Sequence, residues 1–290
     1  MRKIFCSFSD SRLHKSKKRL LEQVEKLNIY DDIKLYSELD FDQQYFDKNS
    51  HLLNIHTRGF GYWMWKPYIV KKTLDEFSDD GDIVHYADIG CWINNNTESK
   101  KMLNNYFSEV EKHPSGLLAF SFQNEVEKGL LSRLYPESTW TKADLFSHLN
   151  LSHDSAIGQS EQIVATTFFI RKNVASCSLI NNWYEISLIT HLIDNSPSKL
   201  PNDPNFIEHR FDQSIFSLLC KINSVKQVSL SQIYLNAHNL IAGRRDSWSS
   251  GMASFPIWAM RHKEMSLFDT LKIFAMRLRK KLLQCITFQN

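Results

Sequence analysis

Short apolar runs alternate with segments of helical periodicity along this 290-residue chain, and the alternation restricts the fold more than any other property. Apolar side chains recur at helical spacing in residues 11–27 and 97–110, for example. The strand-like apolar runs are residues 3–8, 33–36, 83–87, 117–122, 164–170 and 225–230. This pattern predicts an α/β fold in which a mainly parallel sheet carries helices on both faces.

Two carboxylates directly follow such runs. Ligands of parallel sheets bind beyond the carboxyl ends of the strands, so Asp10 and Asp88 are expected to face a ligand. Gly90 lets the backbone turn close to that ligand. A carboxylate at position 88 can coordinate Mg²⁺ or Mn²⁺ that bridges a diphosphate, because these ions prefer oxygen ligands. The alternative is that Asp88 only caps the turn after its strand.

Composition argues against several classes of protein. The 35 basic and 32 acidic side chains give a formal charge of +3, which is not typical of a dedicated nucleic-acid-binding protein. The five cysteines form no CxxC pair, so neither a zinc site nor a disulfide framework is indicated. The basic start turns polar at once, unlike a signal peptide, and no apolar run approaches the ~20 residues of a membrane span. These properties predict a cytoplasmic protein.

Residues 58–67 form an aromatic block that contains two glycines and two cations. Arg58 or Lys66 can neutralise the charge of a phosphate, and Trp65 can stack on a base or a sugar ring. The alternative is that the aromatic side chains pack in the core just before a helix. The block is therefore a candidate donor site, and packing of its aromatic side chains in the core remains an equally good interpretation.

The sequence Gly-Tyr-Trp-x-Trp-Lys-Pro at residues 61–67 is followed by a strand that ends in Tyr-x-Asp-x-Gly at residues 86–90. Two later segments, residues 140–146 and 208–219, complete a set of four. Together, and in this order, they resemble a group of bacterial glycosyltransferases from lipopolysaccharide and capsule clusters. The matches span residues 58–219 of the chain.

The resemblance implies a GT-A-like fold and the transfer of a sugar from a nucleotide-sugar donor to a glycan acceptor in the synthesis of a cell-surface polysaccharide. UDP is the expected nucleotide, because it is common among GT-A enzymes. Many GT-A enzymes hold Mn²⁺ or Mg²⁺ with an Asp-x-Asp motif, but here Gly90 replaces the second acid. The need for a divalent cation is therefore open: Asp88 is either helped by another residue or contacts the donor directly.

Residues 208–219 carry the candidate catalytic groups. An inverting transferase needs a carboxylate base for the acceptor hydroxyl, and Asp212 is the first candidate and Glu208 the second. Arg210 is expected at the donor and His209 at the acceptor. The alternative for Asp212 is that it caps the N-terminus of an apolar helix. A retaining enzyme needs no such base, and the sequence leaves the stereochemistry open.

Three further polar residues are candidates for the same cleft. Lys142 is expected to meet the diphosphate, and Asp144 to bind acceptor hydroxyls, although Asp144 is equally typical of the first turn of a helix. His238 is a candidate metal or phosphate ligand, whereas a lone histidine is more often structural.

The C-terminal part of the chain has a different character. Residues 1–240 are predicted to form the nucleotide-sugar-binding and catalytic domain, and residues 241–290 a basic helical appendage. Apolar side chains at helical spacing in residues 266–286 are interspersed with Lys and Arg. Such a helix can rest on an anionic membrane, where lipid-linked acceptors are found. The alternative is a helix packed on the core with its charges in water.

Two other functions compete with the transferase. The aromatic residues also suit a non-catalytic glycan-binding protein. Another nucleotide-dependent α/β enzyme, such as a methyltransferase, would usually have a glycine-rich first loop, and residues 7–12 contain no glycine. Binding of a nucleoside diphosphate distinguishes the transferase from the glycan-binding protein.

Overall fold

The chain folds as an α/β protein built on one six-stranded sheet, as seen in a computed structural model that describes residues 1–130, 132–233 and 254–259. Within these residues the strands are β1 (Lys3–Phe8), β2 (Asp32–Tyr36), β3 (Ile83–Ala87), β4 (Trp92–Ile93), β5 (Leu117–Ser121), β6 (Ile163–Arg171), β7 (Lys226–Ser229) and β8 (Ile257–Trp258).

The helices connect these strands. In the same residues they are α1 (His14–Glu25), α2 (Gln43–Asn49), α3 (Gly59–Tyr62), α4 (Trp65–Phe77), α5 (Thr97–Lys112), α6 (Gln123–Glu127), α7 (Glu137–Trp140), α8 (Ala143–His148), α9 (Val174–Ser187), α10 (Thr190–Ile193) and α11 (Phe211–Ile222). Short 3₁₀ helices occur at Ser11–Leu13, Glu38–Asp40 and Leu230–Gln232.

The strand order of the main sheet is β2-β1-β3-β6-β5-β7. β1 pairs in parallel with β2 and β3, and β5 pairs in parallel with β7. Only β6 is antiparallel to its neighbours in this sheet, β3 and β5. The predicted mainly parallel sheet is confirmed. One consequence is specific to β6: because it runs backwards, its first residues lie at the edge where β3 and β5 end.

Alternate side chains of the strands enter two separate cores. In β1, Ile4 and Cys6 belong to the core formed with α4, α9 and α11, whereas Phe5 belongs to the core formed with α1 and α5. This alternation follows from the two-residue repeat of a strand, which points successive side chains to opposite faces. Both faces of the sheet are therefore covered by helices, as predicted.

The apolar spacing of residues 173–192 predicts one helix, but the structure has two there. α9 ends at Ser187, and Ile189 has extended backbone angles before α10 begins. The six predicted strands, and the helices predicted in residues 11–27 and 97–110, have boundaries that differ from the predictions by a few residues, as is usual at element ends.

A small second sheet joins distant parts of the chain. Trp92 and Ile93 of β4 pair with Trp258 and Ile257 of β8, which belongs to the segment predicted to be the C-terminal appendage. Residues 266–286, predicted to form a membrane-surface helix, lie outside the described residues. Among the described residues no helix is long and apolar enough to cross a membrane.

Candidate functional site

The carboxyl end of β3 carries the candidate site. Asp88 directly follows β3, and its backbone N–H donates to Thr166 O of β6 at 2.8 Å. The Tyr86 hydroxyl donates to Asp88 Oδ1 at 2.6 Å. The Asp88 side chain is 31% exposed, so its carboxylate is fixed on one side and reaches solvent on the other. The sequence predicted this position for Asp88.

A buried lysine lies against this carboxylate. Lys66, in the first turn of α4, places Nζ 3.2 Å from Asp88 Oδ1 and 2.9 Å from Asp212 Oδ2. Its Nζ also donates a hydrogen bond of 3.1 Å to Ala165 O of β6. The Lys66 and Asp212 side chains are only 4% and 6% exposed. Residues that are distant in the chain thus meet at one point; we call Lys66, Asp88 and Asp212 the Lys66 cluster.

The Lys66 cluster holds one positive and two negative groups. Burial lowers the pKa of Lys66, but Asp212 and Asp88 outweigh this effect and raise it above its ordinary value. Burial raises the pKa of Asp212 to about 6, although Lys66 opposes the shift. The two directions agree physically, because two carboxylates face one ammonium: the lysine keeps its proton, and burial makes the Asp212 carboxylate easier to protonate than an ordinary aspartate.

Strained backbone precedes Lys66. Residues 59–63 all have positive φ angles, from 52° to 93°, so the chain makes one left-handed turn there. This conformation costs an L-residue roughly 1–2 kcal/mol. Gly61 has the largest angle, and a Cβ added there would lie 3.0 Å from Leu53 Cδ2. The two glycines of the aromatic block therefore serve this turn.

The residue before Asp212 is strained in the same way. Phe211 has a φ of 52°. Its ring stacks on that of Tyr62 at 5.1 Å between centroids and lies 5.8 Å from Trp63. Two strained segments thus pack on each other immediately before the residues that supply Lys66 and Asp212. Such strain persists where the surrounding structure enforces it, and it clusters at functional sites.

Two arginines lie near the same edge of the sheet. Arg58 Nη1 is 3.4 Å from Glu208 Oε2, and both side chains are about half exposed. Asp10, which follows β1, is buried and holds the half-exposed Arg12 through contacts of 2.6 and 3.0 Å. Arg12 in turn donates to Ile55 O at 2.8 Å. Asp10 therefore orients a cation, and the sequence analysis had singled out the acid rather than the arginine it holds.

The other candidates from the aromatic block and the 208–212 segment lie in packed surroundings. Trp65 is buried, stacks on Phe8 at 4.1 Å and donates its indole N–H to Gly59 O at 2.9 Å. Arg210 lies over the rings of Trp140, at 3.8 Å, and Tyr135, at 4.7 Å. The centroid of the Trp65 ring lies 6.0 Å from Lys66 Nζ, so this ring packs against the Lys66 cluster.

A second polar cluster contains Lys142. Its Nζ donates to His191 O at 2.9 Å, Asp194 Oδ1 at 3.1 Å and Ser196 Oγ at 3.2 Å. Burial raises the pKa of Asp194, but hydrogen bonds from Ser196 and Lys142 outweigh it and leave the pKa below its ordinary value. We call Lys142, Asp194 and Ser196 the Lys142 cluster.

Asp144 and His209 adjoin the Lys142 cluster. Asp144 Oδ1 is 3.2 Å from His191 Nε2, and its Oδ2 accepts from Lys199 N–H at 3.0 Å. His209 Nδ1 accepts from Lys142 N–H at 3.3 Å, and Nε2 donates to Leu192 O at 2.9 Å. Burial lowers the pKa of His209 to about 3, so the ring is neutral. Both ring nitrogens are used by backbone groups.

Two residues that sequence reasoning missed hold Asp88 in place. Tyr86 lies within the Tyr-x-Asp motif, and the two-residue repeat of a strand could have indicated that it faces the same side as Asp88. Arg19 of α1 donates to Ile89 O at 2.7 Å and Cys91 O at 2.8 Å, and so fixes the loop after Asp88. No local signal in the sequence indicates this contact, because it links positions some 70 residues apart.

One group of side chains has the composition of a metal site. Ligand atoms of His153, Asp154 and Asp203 all lie within 4.8 Å of one another in the part of the chain that the structure describes. This surface group does not include Asp88. His238, the other candidate metal ligand, lies outside the described residues.

Two surface grooves lie apart from the Lys66 cluster. One, of 460 Å³, is bounded by α5, α6 and β7, and the other, of 450 Å³, by α2, α4 and α9. Neither is lined by Lys66, Asp88 or Asp212. The candidate site is therefore distinguished by its charges and strained backbone.

No family model and no curated protein sequence matches the chain. Similar solved structures include a glycosyltransferase involved in glycosylation of the major capsid of PBCV-1, with 11% identity, a TM-score of 0.45, and 96% of this chain and 100% of that chain covered. Galactosyltransferase LgtC in complex with donor and acceptor sugar analogues has 10% identity, a TM-score of 0.46, and 94% of each chain covered.

GlyE of Streptococcus pneumoniae TIGR4 is also similar, with 14% identity and a TM-score of 0.45 over 91% of this chain and 55% of that chain. At such identities and TM-scores, these likenesses do not define the activity of the chain.

Proposed function

We propose that the chain is a glycosyltransferase that moves a sugar from a nucleotide-sugar donor to a glycan acceptor, in line with the four-segment resemblance. The observation that carries the proposal is the Lys66 cluster. It joins three of the residues selected from the sequence, Lys66, Asp88 and Asp212, at the carboxyl end of a central strand. Ligands of α/β sheets bind at this edge.

The donor would lie between Asp88 and the two arginines. The partly exposed Asp88 carboxylate accepts hydrogen bonds from the hydroxyls of a sugar or ribose. Arg12 and Arg58 offer guanidinium groups that pair with the oxygens of a diphosphate. Binding a diphosphate would draw Arg58 away from Glu208, because the diphosphate and the Glu208 carboxylate compete for the same guanidinium group.

Asp212 is the proposed proton acceptor if the reaction inverts the sugar. Its raised pKa of about 6 supports this role, because a base works best when its pKa lies near the operating pH. Glu208, which is half exposed, is the second candidate. In a retaining reaction Asp212 would instead serve to hold the Lys66 ammonium.

The narrower assignments rest on the resemblance and on the sequence. We include in the proposal a UDP-linked donor, an acceptor in bacterial cell-surface polysaccharide synthesis, and action on the cytoplasmic side of the membrane. Contact of residues 266–290 with anionic lipid is part of the same proposal. Deleting these residues should abolish flotation with anionic vesicles at low salt while donor hydrolysis persists; an intact chain that does not float would refute the membrane contact.

A panel of nucleotide sugars tests the central proposal. Thermal stabilisation and donor hydrolysis should single out one or a few donors, because a ligand that binds only the folded state raises its stability. Asp88→Asn should lose most of the hydrolysis. Asp75→Asn is the matched control, since Asp75 is an exposed acid on α4 that pairs with Lys71. A panel in which no donor stabilises the protein or is hydrolysed would refute the proposal.

A further inference from the structure

The residues at the end of β3 can be tested for their fit to a divalent cation. Mg²⁺ needs about six oxygen ligands near 2.1 Å, several of them fixed by the protein or by phosphate. Among the described residues the carboxylates at this position are those of Asp88 and Asp212. Both face the same ammonium, Lys66 Nζ, at 3.2 and 2.9 Å.

The oxygen atoms around Lys66 Nζ suit an ammonium group in their number and distance. Three oxygen atoms, from Asp88, Asp212 and Ala165, lie 2.9 to 3.2 Å from Nζ. An ammonium carries one positive charge and three N–H groups, so one hydrogen bond to Ala165 O and ion pairs with the two carboxylates suit it. These distances are those of N–H···O contacts, and a metal ion would need the oxygens about 1 Å closer.

The backbone of Lys66 and a neighbouring aromatic ring also fix the position of the ammonium. Lys66 belongs to the first turn of α4, and the left-handed turn fixes its backbone. The face of the Tyr86 ring lies 5.4 Å from Nζ. A divalent cation placed between the two carboxylates would meet this positive charge at close range, where burial makes like-charge repulsion strong.

We propose that the Lys66 ammonium is a built-in cation that occupies the position between Asp88 and Asp212, so that this position does not bind a divalent metal ion. The donor's diphosphate then pairs with arginine side chains rather than with a metal held by Asp88. The proposal about the position between the two acids is argued from the distances around Lys66 Nζ, whereas the statement about the diphosphate rests on the proposed function.

Any test must distinguish Mn²⁺ bound between Asp88 and Asp212 from Mn²⁺ bound by His153, Asp154 and Asp203. Their ligand atoms lie close enough together to bind Mn²⁺ on the surface. The starting protein is therefore His153→Ala, in which a bound Mn²⁺ would have to lie elsewhere. Free Mn²⁺ is measured by electron paramagnetic resonance during titration, with neither donor nor acceptor present.

In the His153→Ala protein, Asp88→Asn should leave the binding of Mn²⁺ unchanged, because no metal contacts Asp88. In a separate variant, Lys66→Met is added to the His153→Ala protein with Asp88 intact. This variant should bind Mn²⁺ at least about tenfold more tightly than the His153→Ala protein, because it frees two adjacent carboxylates. Lys71→Met is the control, since Lys71 is a partly exposed lysine on the same helix.

Two results would overturn the proposal. One is a stoichiometric Mn²⁺ in the His153→Ala protein that is lost with Asp88→Asn; this measurement does not depend on whether Lys66→Met folds. The other is a folded Lys66→Met protein that binds Mn²⁺ no better than Lys71→Met.

Titration of UDP in the presence of a chelator completes the test. Affinity that is equal with chelator and with Mn²⁺ supports the proposal, whereas affinity that requires Mn²⁺ contradicts the part about the diphosphate. Failure of UDP to bind under both conditions would count against the nucleotide-sugar function, and the Mn²⁺ titration would still decide the cation between Asp88 and Asp212.

Discussion

Two buried lysines, Lys66 and Lys142, were both selected from the sequence as donor ligands, and their surroundings differ. Lys142 makes directed hydrogen bonds to Asp194, Ser196 and a backbone carbonyl. Lys66 makes one such bond, to Ala165 O, and two ion pairs. The Asp212 Oδ2 atom has the ammonium nearby but accepts no directed hydrogen bond.

The balance of charge differs as well. In the Lys142 cluster one ammonium faces one carboxylate, so the charges cancel. In the Lys66 cluster one ammonium faces two carboxylates, one of which reaches solvent. Thr141, which precedes Lys142, has ordinary extended backbone, whereas a left-handed turn precedes Lys66. A satisfied, neutral cluster stabilises a fold, while an unbalanced and strained one can respond to a ligand.

Replacing each lysine with Met should separate the two roles most clearly. We expect Lys66→Met to lower kcat/KM at least about 100-fold, the scale of a lost electrostatic contact in an active site. Lys142→Met should change kcat/KM of the folded fraction less than about threefold while costing about 3 kcal/mol of stability, because it removes the ammonium that pairs with Asp194. Donor turnover and urea unfolding measure the two effects. Equal losses of turnover in both variants would abolish the distinction.

Replacing one acid of each cluster, Asp88 or Asp194, makes the same comparison with smaller expected effects. Asp88→Asn should lower turnover at least about tenfold while leaving the melting temperature nearly unchanged, because the partly exposed carboxylate faces the donor. Asp194→Asn should show the reverse, a loss of about 1–3 kcal/mol with turnover retained. Wild-type turnover in Asp88→Asn would contradict the assignment of that residue.

The left-handed turn can be tested with a pair of glycines. Gly61 and Gly81 have similar φ angles, 93° and 88°, but only Gly61 is crowded, since an added Cβ at Gly81 meets open space. Alanine at either position should cost about 1 kcal/mol for the positive φ. Gly61→Ala should cost more, and should also lower turnover, because the turn positions Lys66. If the two variants were equally stable and active, the turn would have no role in placing Lys66.

The pH dependence of stability should differ in sign between the clusters. Asp212 has its pKa raised from 3.8 to about 6 in the folded state, so between these values the native protein binds more protons than the unfolded chain. The contribution of Asp212 to stability therefore falls as the pH rises from about 4 to 6. Asp194 has a lowered pKa, so its contribution is present above its unfolded pKa and is lost as the pH falls through the folded value.

Urea unfolding at several pH values tests this difference. Relative to wild type, Asp212→Asn should gain stability as the pH rises from 4 to 6. Asp194→Asn should instead lose stability relative to wild type as the pH rises toward and just past 3.8, the ordinary pKa of an aspartate. Parallel curves for wild type and Asp212→Asn would show that the carboxyl is not perturbed by folding.

Much of the fold was predictable because the relevant signals are local. Apolar runs of strand length and helical periodicity predicted the strands of the main sheet and the long helices, since burial on one or both faces imposes those repeats. The placement of Asp88 followed from the same pattern, because the end of a parallel strand defines one edge of the sheet. The reversed direction of β6 could not be predicted, because the long connection after β5 fixes no strand direction.

The sequence by itself determined that this is an α/β chain, and it selected Lys66, Asp88 and Asp212 by residue type and motif. Only the tertiary structure decided that these three side chains meet, that Trp65 packs in the core, and that His209 and Lys142 are held in a separate polar cluster. The physical reason is that residue type fixes what a side chain can bind. Whether it faces solvent, another side chain or the core depends on contacts between residues that can lie more than 150 positions apart in the chain.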